Sequence, residues 1–217
     1  MAEVLSQDEI ALLLTTINAA PVPDKFSGEQ IQAISCIHET FANLTSCSLS
    51  TYIHSWCHVH VSFIDQFTYE EFIRSLPTPA TLAVINMNPL KGSVILKIDT
   101  ELTFAIIDKI CGGRGDGTKF HHELTDIEYF IINNIIVHML GNLREAWKPV
   151  VDTHPQVEAI DNNPQSVRII SPNEIIILVM LETKIGEAKG ILNICIPYST
   201  IEPVMEKLSN WHCNKNP

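Results

Sequence analysis

The chain has 217 residues, 46% of them hydrophobic, which is enough for one large cored domain or two small ones and excludes a disordered protein. Its 25 acidic residues outnumber the 14 basic ones and leave a formal charge of −11, the wrong sign for gripping a nucleic-acid backbone. The longest strictly apolar run, residues 175–181, is far shorter than the roughly 20 residues that cross a bilayer, and the N-terminus has neither the basic nor the apolar region of a signal peptide, so a soluble, unexported protein is expected.

In chain order, the first element is a short amphipathic helix over residues 1–18. Ser6 and Glu9 have the spacing of a capping box, and Ile10, Leu13, Leu14 and Ile17 then fall on one stripe. Pro21 and Pro23 end it and make residues 19–26 a short linker. A globular domain over 27–209 follows. A long helix pattern begins near Ser27, and extended segments are predicted at 55–64 and 81–87, then a strand, a turn signal and an amphipathic helix within 91–110. A second long helix opens at Thr125 with Glu128 three residues on, followed by extended segments at 166–172 and 174–183. Residues 210–217 form a tail.

The domain repeats itself. KGSVILKIDTELTFAIIDKI at 91–110 aligns without a gap to KGILNICIPYSTIEPVMEKL at 189–208, because Gly190 minus Gly92 and Lys207 minus Lys109 both give 98. ETFANL at 39–44 resembles HMLGNL at 138–143, one residue out of that register. Two copies of helix, strands, hairpin and helix predict an α/β domain with pseudo-twofold symmetry, halves near 27–111 and 118–209, and a mixed, mainly antiparallel sheet with long helices outside.

Four of the nine glycines lie within residues 112–117, between the halves. They follow a helix C-terminus, whereas a phosphate loop sits between a strand and a helix N-terminus, so no nucleotide or other cofactor site is expected there. A helix cap leading into a connector explains the glycines without a function. The sharper reading is a low-profile surface on which Arg114 meets a partner's backbone or carboxylate. His54, His58 and His60 surround Cys57, but in a strand Cys57 faces away from His58 and His60, and surface histidines explain them better than a metal site; His121 and His122 are adjacent loop residues. The six cysteines lack a CxxC pair and read as reduced thiols. No nucleophile elbow, cysteine motif or spaced carboxylate pair marks a catalytic residue, and Glu70-Glu71 reads as a solvated helix face. A binding or assembly protein is the default.

LSQDEI at 5–10, PDKFSGEQI at 23–31, IHETFANL at 37–44, the block at 68–99, GGRG at 112–115, LTDIE at 124–128, NPQ at 163–165 and the block at 181–209 closely resemble the FliM family of flagellar motor switch proteins. The resemblance covers nearly the whole chain. It implies a helical peptide that binds the phosphorylated response regulator CheY, here carried by Ser6, Glu9, Ile10, Leu13 and Leu14. It also implies a CheC-like middle domain, a pseudo-symmetric α/β/α unit whose GGxG loop, here Gly112, Gly113, Arg114 and Gly115, engages the rotor protein FliG. Neighbouring FliM copies would meet through the outer faces of the long helices near 30–44 and 126–143. FliN would be reached through a C-terminal domain not present in these residues. The location implied is cytoplasmic, at the flagellar basal body on the inner face of the inner membrane, with a role in chemotaxis and the direction of flagellar rotation and no insertion into the membrane.

The resemblance extends to the CheC phosphatases, which carry an ExxN pair on each long helix. Here Glu39 is followed at that spacing by Ala42, and Glu128 by Ile131, so the fold is expected without the chemistry. A phosphatase acting on CheY-phosphate and a truncated regulatory paralogue are the alternatives. The peptide also departs from the family's EIDALL, reading EIALLL with Ala11 in the acidic position.

Overall fold

The two longest helices among the described residues begin at hydroxyl caps. The computed structural model describes residues 25–115 and 122–211, so the peptide with Ser6, Glu9, Ile10, Leu13 and Leu14, as well as His121 and Cys213, lie outside the described residues. Helix α1 (Gly28–Tyr52) starts at Ser27, whose hydroxyl accepts the Gln30 N–H while the Gln30 side chain accepts the Ser27 N–H. Strand β1 (Cys57–Thr68), helix α2 (Tyr69–Ser75), strands β2 (Thr81–Asn86) and β3 (Ser93–Ile98) and helix α3 (Thr100–Ile110) complete the first half. The second half holds α4 (Asp126–Trp147), β4 (Gln156–Asp161), β5 (Ile175–Ile185), β6 (Ala188–Pro197), α5 (Tyr198–Ile201), a 3-10 turn (Glu202–Val204) and α6 (Met205–Asn210). Thr125 and Glu128 cap α4 reciprocally.

The six strands of the described residues join one sheet in the order β1-β5-β6-β3-β2-β4, and every neighbouring pair is antiparallel. Exchanging β1 with β4, β2 with β5 and β3 with β6 reverses that order and leaves the sheet unchanged, which is the signature of a twofold axis. The axis passes through the central β3–β6 pair. There Leu96 faces Ile194, and these positions differ by the same 98 residues that relate the two sequence copies.

Alternate strand residues point into the main core. Leu96, Ile98, Ile177, Val179, Leu192 and Ile194 meet Ile34, Phe41, Ile135 and Met139 of the long helices, with Leu102 and Ile106 of α3 joining the same cluster. The opposite face is covered more thinly. Tyr69 and Phe72 of α2 and Val167 pack on Leu82, Ile95, Ile176, Leu178 and Cys195, and the Tyr69 hydroxyl donates to the Val167 carbonyl. Burial pushes the Tyr69 hydroxyl up to about 12. On this second face Lys97 of β3 is buried, its ammonium paired with Asp99, and the other Asp99 oxygen accepts the Ile191 N–H at 2.5 Å.

Several local expectations change. Residues 166–172 form no strand, because Asp161 and Asn163 accept the backbone N–H groups two residues on and Ser166 bonds back to Asn163, turning the chain at Pro164. The strand that pairs instead is β4 at Gln156–Asp161, an edge strand with only two apolar residues that point inward, Val157 and Ile160. The single helix expected at the end of the second copy is divided at Pro203, which enters the 3-10 turn. Glu71 is less a solvated side chain than a cap, accepting the Thr68 N–H. Cys36 is disulfide-bonded rather than a free thiol, whereas Cys47, Cys57, Cys111 and Cys195 are free.

Candidate partner-binding surface

Helix α3 ends because Gly112 takes a left-handed conformation (φ +87°) that a side chain resists. The Gly112 N–H then donates to the Lys109 carbonyl (3.0 Å) and the Gly113 N–H to the Asp108 carbonyl (2.7 Å), the paired bonds of a Schellman cap. Asp108 folds its side chain back and accepts the Gly115 N–H at 2.6 Å. The acid fills the space beside Gly113, where a Cβ would lie 2.1 Å from an Asp108 oxygen. Gly115 is buried, and a Cβ there would lie 2.6 Å from Cε of Lys109. Of the four predicted contact residues, Gly112, Gly113 and Arg114 are exposed, while Gly115 acts from beneath as the anchor of the loop.

Gly113→Ala is therefore expected to displace the Asp108 carboxylate, break its bond to Gly115 and destabilise the loop by about 1–2 kcal/mol. Faster hydrogen exchange at the Gly115 amide, with little change at the sheet amides, is the readout.

The loop has a neighbour that sequence reading did not single out. Gly186, in the two-residue turn between β5 and β6, donates its N–H to the Trp56 carbonyl (3.0 Å), and its α-carbon faces the same Lys109 side chain that underlies Gly115. Trp56 is 59% exposed, an unusual state for so large an apolar side chain. Its ring stacks on His58 at 5.8 Å, His58 on His60 at 5.4 Å, and the Lys184 ammonium lies 5.6 Å from the Trp56 ring centre. His58 and His60 share the exposed face and Cys57 the buried one, as strand alternation requires. Burial pushes the Cys57 thiol up to about 12, so no thiolate is available beside them. Among the described residues no three His, Cys, Asp or Glu side chains converge as metal ligands would.

The long helices carry a second surface. Ile127, Phe130 and Val137 are 74%, 65% and 52% exposed along one side of α4, and Tyr52 of α1 meets His138 with rings 4.5 Å apart. Between the helices Asn142 donates to Ser48 (2.7 Å) and Thr45 (3.3 Å). Glu39 is exposed, the Glu128 carboxylate accepts the Thr125 N–H and hydroxyl, and the residues three positions on are Ala42 and Ile131.

A dyad-related antiparallel sheet with its long helices on one face is the architecture of the FliM middle domain from H. pylori, and the chemotaxis protein CheX from Vibrio vulnificus shares the fold. The family model described as Flagellar motor switch protein FliM matches residues 27–213. The chain belongs to that family. It is 50% identical to the flagellar motor switch protein FliM of Treponema pallidum over 97% of its own length and 67% of the relative's. It is 51% identical to that of Borreliella burgdorferi over 88% of its length and 55% of the relative's, so it spans between about half and two thirds of these relatives. Among solved structures, a chain of the FliG–FliM complex from H. pylori superimposes with a TM-score of 0.81 at 34% identity, covering 83% of this chain and 99% of that one.

Proposed function

We propose that this chain is a structural and regulatory part of the flagellar motor switch and that it holds FliG through Gly112, Gly113 and Arg114. The observation carrying this reading is the loop itself: a cap and an internal acid hold it, yet its outer surface is bare backbone with one guanidinium. Bare backbone lets a partner approach closely, and the guanidinium supplies bidentate recognition of a carboxylate. The similar chain in a FliG–FliM complex supports the choice of partner. Trp56, on the same end of the molecule, would extend the contact as an apolar anchor.

Phosphorylated CheY would bind the peptide through Ser6, Glu9, Ile10, Leu13 and Leu14, and copies of the chain would meet along the exposed side of α4 and the outer face of α1. FliN would join through a C-terminal domain. CheY binding and FliG binding are then coupled through the tilt of neighbouring domains at the basal body, on the cytoplasmic face of the inner membrane. No catalytic step is assigned.

Titration of the chain with the middle and C-terminal parts of FliG tests this. Binding with Kd of roughly 1–100 μM is expected, and Arg114→Glu weakens it at least about tenfold, near 1.4 kcal/mol. Undiminished binding by an Arg114→Glu protein with an unchanged circular dichroism spectrum would move the FliG contact to the helices and reduce the loop to a connector.

A further inference from the structure

The pseudo-dyad supplies an internal control on the core. Gly92 and Gly190 are equivalent positions, and so are Leu102 and Thr200, each pair 98 residues apart. In one half a Cβ on Gly190 would lie 2.7 Å from Cγ of Leu102; in the other, a Cβ on Gly92 would lie 2.8 Å from Oγ1 of Thr200. The same packing niche thus holds an apolar side chain in one copy and a hydroxyl in the other. That hydroxyl is buried and has no hydrogen-bond partner among the described residues.

Two more buried polar atoms share its surroundings. His38 of α1 uses Nδ1–H to donate to the Ile34 carbonyl at 2.8 Å, which leaves Nε2 as the bare acceptor nitrogen of a neutral ring. Trp147, at the end of α4, meets His38 edge-on with ring centres 6.0 Å apart, and its indole N–H has no partner among the described residues. His38, Trp147 and Thr200 line a single cavity closed by Met87, Leu90 and Val94, with about 10 Å³ for the centre of a water-sized sphere. A neighbouring cavity of the same size is lined only by apolar side chains, among them Phe41, Leu96 and Met139.

We propose that the His38–Trp147–Thr200 cavity is a binding site for one structural water molecule and that its apolar neighbour is dry. A single water needs about this much room and two to four polar partners. The three atoms are chemically complementary to it: Nε2 of His38 accepts one water proton, the Trp147 indole donates to the water oxygen, and the Thr200 hydroxyl can do either. Three unpaired polar groups would otherwise each carry a desolvation cost, and the apolar cavity offers a water nothing. The water ties α1 of the first half to α4 and α5 of the second, at a place where the two copies have diverged.

An atomic-resolution crystal structure of the full chain tests the site directly. One ordered density peak within hydrogen-bonding distance of all three atoms, and none in the second cavity, is the expected result. In solution the Trp147 indole proton should show a cross-relaxation peak to a long-lived water although the ring is fully buried. Thr200→Val, which keeps shape and removes the hydroxyl, should lose that peak. No density in the wild-type cavity, a direct bond from the Trp147 N–H to His38, a cross-relaxation peak undiminished in Thr200→Val, or a water in the apolar cavity would each overturn the proposal. Because the wild-type measurements stand alone, a variant that fails to fold does not protect it.

Discussion

Asp99→Ala is expected to destabilise the fold by about 3 kcal/mol. Lys97 sits in a central strand with its side chain almost wholly excluded from solvent, and Asp99 is the acid paired with it. Removing that acid leaves a buried ammonium without compensation and also frees the Ile191 N–H, which loses its side-chain acceptor. Breaking a buried pair from one side typically costs about 3–5 kcal/mol; Asp99 retains some solvent contact, which places the cost at the lower end. The double variant Lys97→Met/Asp99→Ala removes the charge together with its partner and should recover most of the loss. Urea unfolding of the two single variants and the double variant checks this, and additive losses would show that the pair is not coupled.

Stability should also fall by about 3 kcal/mol as the pH drops from 7 to 4, through one residue. Burial holds the His38 imidazole down at about 4 against an ordinary value of 6.5, outweighing the opposing effect of its bond to Ile34. Between those values the unfolded chain binds a proton at this position and the folded chain does not, so folding is disfavoured progressively as pH decreases. The contribution is fully present above about 6.5 and is gone below about 4. Asp152, Glu158 and Asp161, whose carboxyls are held low by hydrogen bonds from Arg144, Asn86 and Ser166 respectively, act in the same direction but in a lower window. A His38→Gln protein should therefore show a flat profile between pH 7 and about pH 4.5, whatever its absolute stability. A slope equal to the wild type's would assign the effect elsewhere.

How much of this was legible in the sequence depended on whether the cause was local. Ser27 and Thr125 mark helix starts because a cap needs only a hydroxyl and the next few residues. The 98-residue offset predicts the dyad because repetition survives in the chain regardless of contacts, and it places Leu96 opposite Ile194. Strand β4 escaped because an edge strand with its outer side wet has too few apolar residues to stand out, while the apolar SVRII run was drawn into turns by the side chains of Asp161 and Asn163. The GGRG loop could be read as a cap, but the carboxylate folding back from Asp108 could not, since that bond skips seven positions. Lys97 reads as a strand charge until the sheet buries it. Trp56, His38 and Thr200 carried no signal at all: their meaning comes from neighbours drawn from the other half of the chain.

The dyad also settles a matter of valency. A true twofold dimer presents every patch of its surface twice, and a partner binding one copy has an equal claim on the second. Here the positions equivalent to Gly112, Gly113, Arg114 and Gly115 are Asn210, Trp211, His212 and Cys213, with no glycine among them. The symmetric sheet therefore carries one glycine loop, on one side only. A domain that is twofold in its core is single-valued at that surface, and a ring built from it would present one such loop per subunit.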